Sequence, residues 1–123
     1  MKSDTLASKT CVPCRAGTPP LTEEEAGRLH DAVPRWSVTD GAKRLLRRFE
    51  FRDFLQAMEF VNRVAGLAEE QGHHPDIHIH WNKVELVLWT HSIGGLHEND
   101  FVMAAKIDNV GEGRGKTGKD GGG

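Results

Sequence analysis

The chain has 123 residues, with 16 Lys and Arg against 18 Asp and Glu, a formal net charge of −2. Acids and bases are interspersed, which excludes the basic stripe of a nucleic-acid-binding surface, and no apolar run approaches the ~18 residues a membrane span needs. No apolar core of a secretory signal stands near the start, so the expected compartment is the cytoplasm, where Cys11 and Cys14 stay reduced.

One domain is expected, flanked by two weaker stretches. Residues 1–20 mix Ser, Thr, Lys and Pro around a Cys11-x-x-Cys14 pair without an apolar period, and read as a flexible segment. Residues 21–110 carry the folded body. It opens on Leu21-Thr22-Glu23-Glu24-Glu25, where Thr22 and Glu25 have the spacing of a capping box. Ala26, Leu29, His30 and Val33 continue at helical spacing until Pro34. A brief strand over residues 35–38, with Trp36 inward, and a strand over residues 43–51 flank the turn signal Thr39-Asp40-Gly41.

Residues 53–70 give the strongest periodic signal. Phe54, Ala57, Met58, Val61, Val64, Ala65 and Ala68 form one apolar helical face, with Asp53 as cap and Gly72 just past the end. Strict alternation follows over residues 76–81 and 84–90. A turn at Asn82-Lys83 would pair Trp81 with Val84, Ile79 with Leu86 and Ile77 with Leu88, all six on one face. Residues 97–110 read as a last helix with Phe101, Ala104, Ala105 and Ile107 apolar. The order α-β-β-α-β-β-α predicts an α+β fold, a four-stranded antiparallel sheet with three helices on one face. Residues 111–123 contain seven glycines among polar residues and read as a disordered tail. A body of about 90 residues buries only about two-thirds of its unfolded surface, so association would add useful burial.

Five of the seven histidines fall between residues 73 and 91. In the predicted register His74 lies opposite His91, and His73 and His74 enter the hairpin as His91 leaves it. Three imidazoles at one sheet end suit proton transfer near neutral pH, one as acid and another as base. The alternative is a set of solvated surface histidines. A metal is the rival chemistry: His78 and His80 share a strand face, Glu85 lies across from His80 in this register, and Cys11-x-x-Cys14 is half a zinc site or a redox pair. The cysteine pair has no second ligand pair at finger spacing.

Glu69-x-x-x-His73-His74-Pro75, the turn Trp81-Asn82-Lys83-Val84, and Thr90-His91-x-x-Gly94-Gly95-Leu96 with Asp100 resemble the signature of the pterin-4a-carbinolamine dehydratases. Leu21-Thr22-Glu23-Glu24, Pro34-x-Trp36 and Phe49-x-Phe51 fit the same pattern, and Cys11 and Cys14 resemble a bacterial-type feature. The resemblance implies dehydration of a 4a-hydroxytetrahydropterin to the quinonoid dihydropterin, recycling the pterin of aromatic amino-acid hydroxylases without metal or other cofactor. It implies His73 and His91 as proton-transfer residues, with His74, Glu69, Asp100 and Trp36 on the substrate side. Asp100 also reads as an ordinary acidic residue in the first turn of a helix. The resemblance further implies a homodimer or homotetramer. Some relatives of this fold serve as dimerisation cofactors of a transcription activator, which makes a binding module the alternative to an enzyme. The chain departs from the pattern at His97, where Ser or Thr is common, at His78 and His80, and at the bulky Trp89 beside His91.

Overall fold

Capping chemistry sets the helix starts. The computed structural model describes residues 3–13 and 17–117. In α2 (Glu23–His30; α1 is described below) the Thr22 hydroxyl accepts the Glu25 amide at 3.1 Å and the Glu25 carboxylate accepts the Thr22 amide at 2.9 Å. Asp53 accepts the Gln56 amide at 2.9 Å to start α3 (Phe54–Gln71), and Gly72 ends it in the left-handed region at φ 66°. Both boundaries match the sequence signals.

The buried face of α3 is Ala57, Phe60, Val61, Val64 and Ala68. Phe54 and Ala65, expected on that face, are exposed. The face is rotated toward Phe60, whose ring lies 4.6 Å from Phe49 and 5.1 Å from Phe51, so aromatic packing decides which stripe faces the sheet.

The sheet is antiparallel with strand order β1-β2-β4-β3, from β1 (Ser37–Thr39), β2 (Arg44–Glu50), β3 (Asp76–His80) and β4 (Lys83–Leu88). Leu45 pairs with Leu88, Arg47 with Leu86 and Phe49 with Val84, and this face meets the helices. Arg47 stands in an otherwise apolar row. It pairs with Asp108 on α4 (Glu98–Thr117), which also accepts the Trp36 indole N–H at 2.8 Å. That carboxylate has donors from two other elements, which is what a buried acid requires.

The β3–β4 register differs from the expected one by two residues. Ile79 pairs with Val84, Ile77 with Leu86 and His80 with Lys83, so the turn is Trp81-Asn82. A two-residue shift keeps every side chain on its expected face. Local propensity favoured Asn at the left-handed position, but Trp81 takes it, at φ 55°. Asn82 is committed elsewhere: its carbonyl accepts the Phe51 amide and its side-chain amide donates to the Phe51 carbonyl, both at 2.8 Å. Two buried hydrogen bonds to Phe51, just past the end of β2, outweigh the cost of ~1 kcal/mol for a left-handed Trp.

Residues before 20, expected to be flexible, contain a fourth helix, α1 (Ser3–Ala7), whose Leu6 is fully buried. α1 packs on α4, Lys106 donates to the Ala7 carbonyl at 2.8 Å, and Lys9 pairs with Glu98 at 2.6 Å. A single turn with one core residue has no period to find. Phe101 through Ala105 are all buried, because α4 lies between the sheet side and the covering α1 and α2. The backbone of α4 continues helically to Thr117, into the stretch read as a tail. Residues 118–123 of that stretch, and Cys14, lie outside the described residues. Among the described residues no helix is long and apolar enough to cross a membrane.

If α1 is part of the core, Leu6→Ala should lower unfolding free energy by about 2 kcal/mol through lost burial and a residual cavity. Urea denaturation checks this, and an unchanged midpoint would show that α1 does not contribute to the fold.

Candidate active site

Four chain segments meet at one end of the sheet. α3 ends at Gly72, and His73-His74-Pro75 lead into β3. β4 ends at Leu88, and Trp89-Thr90 lead into a 3-10 turn over His91–Ile93. The loop then returns: the Thr90 amide donates to the Gly95 carbonyl at 2.8 Å, with Gly94 left-handed at φ 68°. Gly95 has no alternative, since a Cβ there would stand 2.8 Å from the Pro20 Cβ. His73, His74, His91, Trp89 and Thr90 line a cleft of about 340 Å³ at this end.

His73 is the most enclosed of the three imidazoles, with 12% of its side chain exposed. Its Nε2 lies 2.6 Å from Asp100 Oδ1. Asp100 is fully buried, and its other oxygen accepts the Thr90 hydroxyl at 2.8 Å and the His97 amide at 3.0 Å. The carboxylate is acceptor-only when ionised, so the neutral His73 ring places its proton on Nε2 and its lone pair on Nδ1. Both sequence readings of Asp100 therefore hold at once. It accepts the amide before α4 as a capping acid, and it orients His73. His97 completes the cap, its Nδ1 accepting the Asn99 amide at 3.0 Å. A histidine thus does what Ser or Thr would do there.

His74 Nε2 lies 2.6 Å from Glu69 Oε2, one turn back on α3, and both groups are largely in water. His91 is exposed and stacks on Trp89, ring centroids 3.8 Å apart at 26°. The expected pairing of His74 opposite His91 is not formed, because β3 begins at Asp76 and β4 ends at Leu88. The histidines share the cleft through the loops instead. Trp36, read as a substrate-side residue, is 1% exposed in the core, with its indole on Asp108 and its ring edge-on to Phe49. It does not line this cleft. Thr90 was quoted from sequence only within the motif Thr90-His91-x-x-Gly94-Gly95-Leu96, with no role of its own. Its inward alternation after Leu88 was the available signal.

The rival metal set is rearranged. His78, not His80, lies opposite Glu85, whose carboxylate is 2.9 Å from Arg48. Among the described residues no group of three or more His, Cys, Asp or Glu is placed to share a metal ion. A larger cleft of about 520 Å³ at the opposite, Trp81 end of the hairpin holds Arg48, Glu85, His80 and Lys83. Its charges offer no convergent proton donors and acceptors comparable to the three imidazoles.

Cys11 lies close by. Its amide donates to Gln71 Oε1 at 2.9 Å, and the next residue, Val12, exchanges hydrogen bonds of 3.0 and 2.6 Å with the Asn99 side chain. Burial pushes the Cys11 thiol up to about 11; Lys106 pulls the other way and Asp100 adds to the rise.

Residues 19–110 match the family model described as pterin 4 alpha carbinolamine dehydratase. The chain belongs to that family. A Methylococcus capsulatus protein provisionally named a pterin-4-alpha-carbinolamine dehydratase is 49% identical over 110 residues, covering 89% of this chain and 96% of that one. Among solved structures, a Brucella melitensis protein titled transcriptional coactivator/pterin dehydratase has a TM-score of 0.70 and 36% identity, covering 74% of this chain and 97% of that one. A pterin dehydratase-like protein titled as a RuBisCO assembly factor in the alpha-carboxysome has a TM-score of 0.53 and 28% identity, covering 61% of this chain and 90% of that chain. Solved structures similar to this chain thus carry titles that name coactivation or assembly, and the side chains of the cleft must decide between chemistry and binding.

Two measurements check this geometry. Imidazole nitrogen NMR should show neutral His73 as the Nε2–H tautomer, and an Nδ1–H tautomer would contradict the Asp100 contact. Cys11 in the folded protein should alkylate at pH 8 about 100-fold more slowly than in the unfolded chain, because raising the thiol from 9.0 to about 11 cuts the thiolate fraction by that factor. Equal rates in peptide-mapped alkylation would show that burial does not suppress the thiolate.

Proposed function

We propose that the cleft dehydrates a 4a-hydroxytetrahydropterin by histidine acid–base catalysis. The observation that carries this reading is the convergence of His73, His74 and His91 on one cleft, with buried Asp100 behind His73. In the reaction the C4a–O bond breaks, the hydroxyl takes a proton and leaves as water, and N5 loses its hydrogen as the C4a–N5 double bond forms. One imidazole supplies the proton and another accepts one. His73 and His91 are assigned these two steps, and His74, paired with an exposed Glu69, is assigned to holding the ring. General acid–base help of this kind is worth about 10²–10⁴-fold. The product would return to the pterin cycle of an aromatic amino-acid hydroxylase, in the cytoplasm.

Association is part of the proposal. β3 is an edge strand, and Ile79 and Trp81 beside its end are 36% and 66% exposed. An uncovered edge with apolar neighbours favours a dimer or tetramer of this chain. The coactivator reading would use a partner surface and leave the histidines without a task. Variants of the cleft therefore separate the two.

His73→Gln or His91→Gln should lower kcat about 10- to 10³-fold on chemically generated 4a-hydroxytetrahydropterin, whereas His74→Gln should act mainly on KM. His78→Gln and His80→Gln, on the outer sheet face, should match the parent protein. Stopped-flow absorbance reads all five, and uniform behaviour across them would overturn the assignment. Chelation with EDTA should leave the rate unchanged, since imidazoles perform both proton transfers; loss restored by zinc would replace this mechanism with a metal-assisted one.

A further inference from the structure

The three imidazoles are not held alike. His73 and His74 each have a carboxylate 2.6 Å from Nε2, while the ring nitrogens of His91 meet no hydrogen-bond partner among the described residues. His91 is also exposed, so burial does not hold it either. What touches its ring is the indole of Trp89, at 3.8 Å between centroids and 26° between planes.

Trp89 is itself fixed. Its indole N–H donates to Asp76 at 3.2 Å, the first residue of β3. The Arg44 guanidinium lies 4.4 Å from its ring centre, and Arg44 is tied to Asp40 in the β1–β2 turn. Asp76 and Arg44 thus hold the indole from two strands.

We infer that Trp89, held by Asp76 and Arg44, is a positioning residue: its face fixes the plane of the His91 imidazole beside the cleft shared with His73 and leaves both ring nitrogens without a partner among the described residues. This rests on the proposed role of His91 in proton transfer and names what makes that role workable. A proton-transferring group must be held to within about 0.5 Å and 10–20° of its productive geometry. A carboxylate would achieve this by occupying one nitrogen. An aromatic face achieves it with both nitrogens left free, so either can carry the proton transfer assigned to His91.

The test combines a spectroscopic and a kinetic arm on the full chain. In the parent protein the His91 Hδ2 and Hε1 resonances should be displaced upfield by the indole ring current. In Trp89→Leu they should move downfield toward those of solvent-facing His78, while Trp89→Phe, which keeps an aromatic face, should retain most of the displacement. Trp89→Leu should lower kcat about 10-fold with KM within about twofold, and Trp89→Phe should recover most of the rate. Combining Trp89→Leu with His91→Gln should be no slower than His91→Gln alone, since the two act through one group. Unmoved His91 resonances would overturn the inference, as would a rise in KM at constant kcat or a full Trp89→Leu rate alongside a slow His91→Gln. A full rate in His91→Gln itself would instead overturn the parent reading, and the inference with it.

Discussion

A carboxylate with no exposure to water must find its donors inside the protein, because burying an uncompensated charge costs several kcal/mol or more. Asp100 meets that demand with three donors: the His73 ring at the end of α3, the Thr90 hydroxyl after β4, and the His97 amide before α4. Each comes from a segment flanking a different element. The single carboxylate therefore ties the helix, the sheet and the last helix together where the cleft forms, and losing any one donor leaves the charge less satisfied. Fold and site share this constraint, so the geometry of His73 is as fixed as the packing of α4.

α4 carries a second buried acid. Asp108 takes the Trp36 indole and the Arg47 guanidinium, from the segment before β1 and from β2. Apolar burial is non-directional, so burying residues 101–105 does not by itself single out one register for the helix. Two polar anchors set its register against the sheet, a use of buried polar groups that favours one arrangement over others of similar apolar burial. This accounts for Trp36 better than a pocket wall does. The aromatic is needed for its N–H as much as for its ring.

Much of the fold is readable in the sequence because local chemistry and tertiary packing agree. Thr22 with Glu25, Asp53 and Gly72 mark helix ends that form where they predict. Alternation placed the faces of β3 and β4 correctly even with the turn misplaced by one residue, since the pairing register then shifts by two and a shift of two preserves the face. What was not readable depends on distant partners. Asn82 leaves the left-handed turn position to Trp81 because Phe51, 31 residues away, uses both its carbonyl and its amide. Leu6 is a core residue only because α4 needs cover on that side. At the site, His73, His74 and His91 were legible as a group, but their convergence was attributed to strand pairing that does not occur. The loops after Gly72 and Leu88 bring them together, and Thr90, which alternation turns inward after Leu88, supplies the link through Asp100 that only the folded chain shows.

The three histidine environments differ in stiffness in a way that fits the division of labour proposed for them. A charged hydrogen bond between an exposed pair such as His74 and Glu69 contributes about 0–1 kcal/mol and is screened by salt, so His74 keeps freedom to adapt. The His73–Asp100 contact lies out of water and belongs to a network of three donors, where breaking it would leave a buried charge under-satisfied. His91 sits between these extremes, its ring stacked on the Trp89 face and its nitrogens without a hydrogen bond among the described residues. A group that only holds a ring benefits from adaptability, whereas a group that moves a proton must be in place before the substrate arrives. On that criterion the stiff His73 and the stacked His91 are the better candidates for proton transfer. His74 is the better candidate for holding the pterin, and the distinction comes from what surrounds each imidazole rather than from the imidazoles themselves.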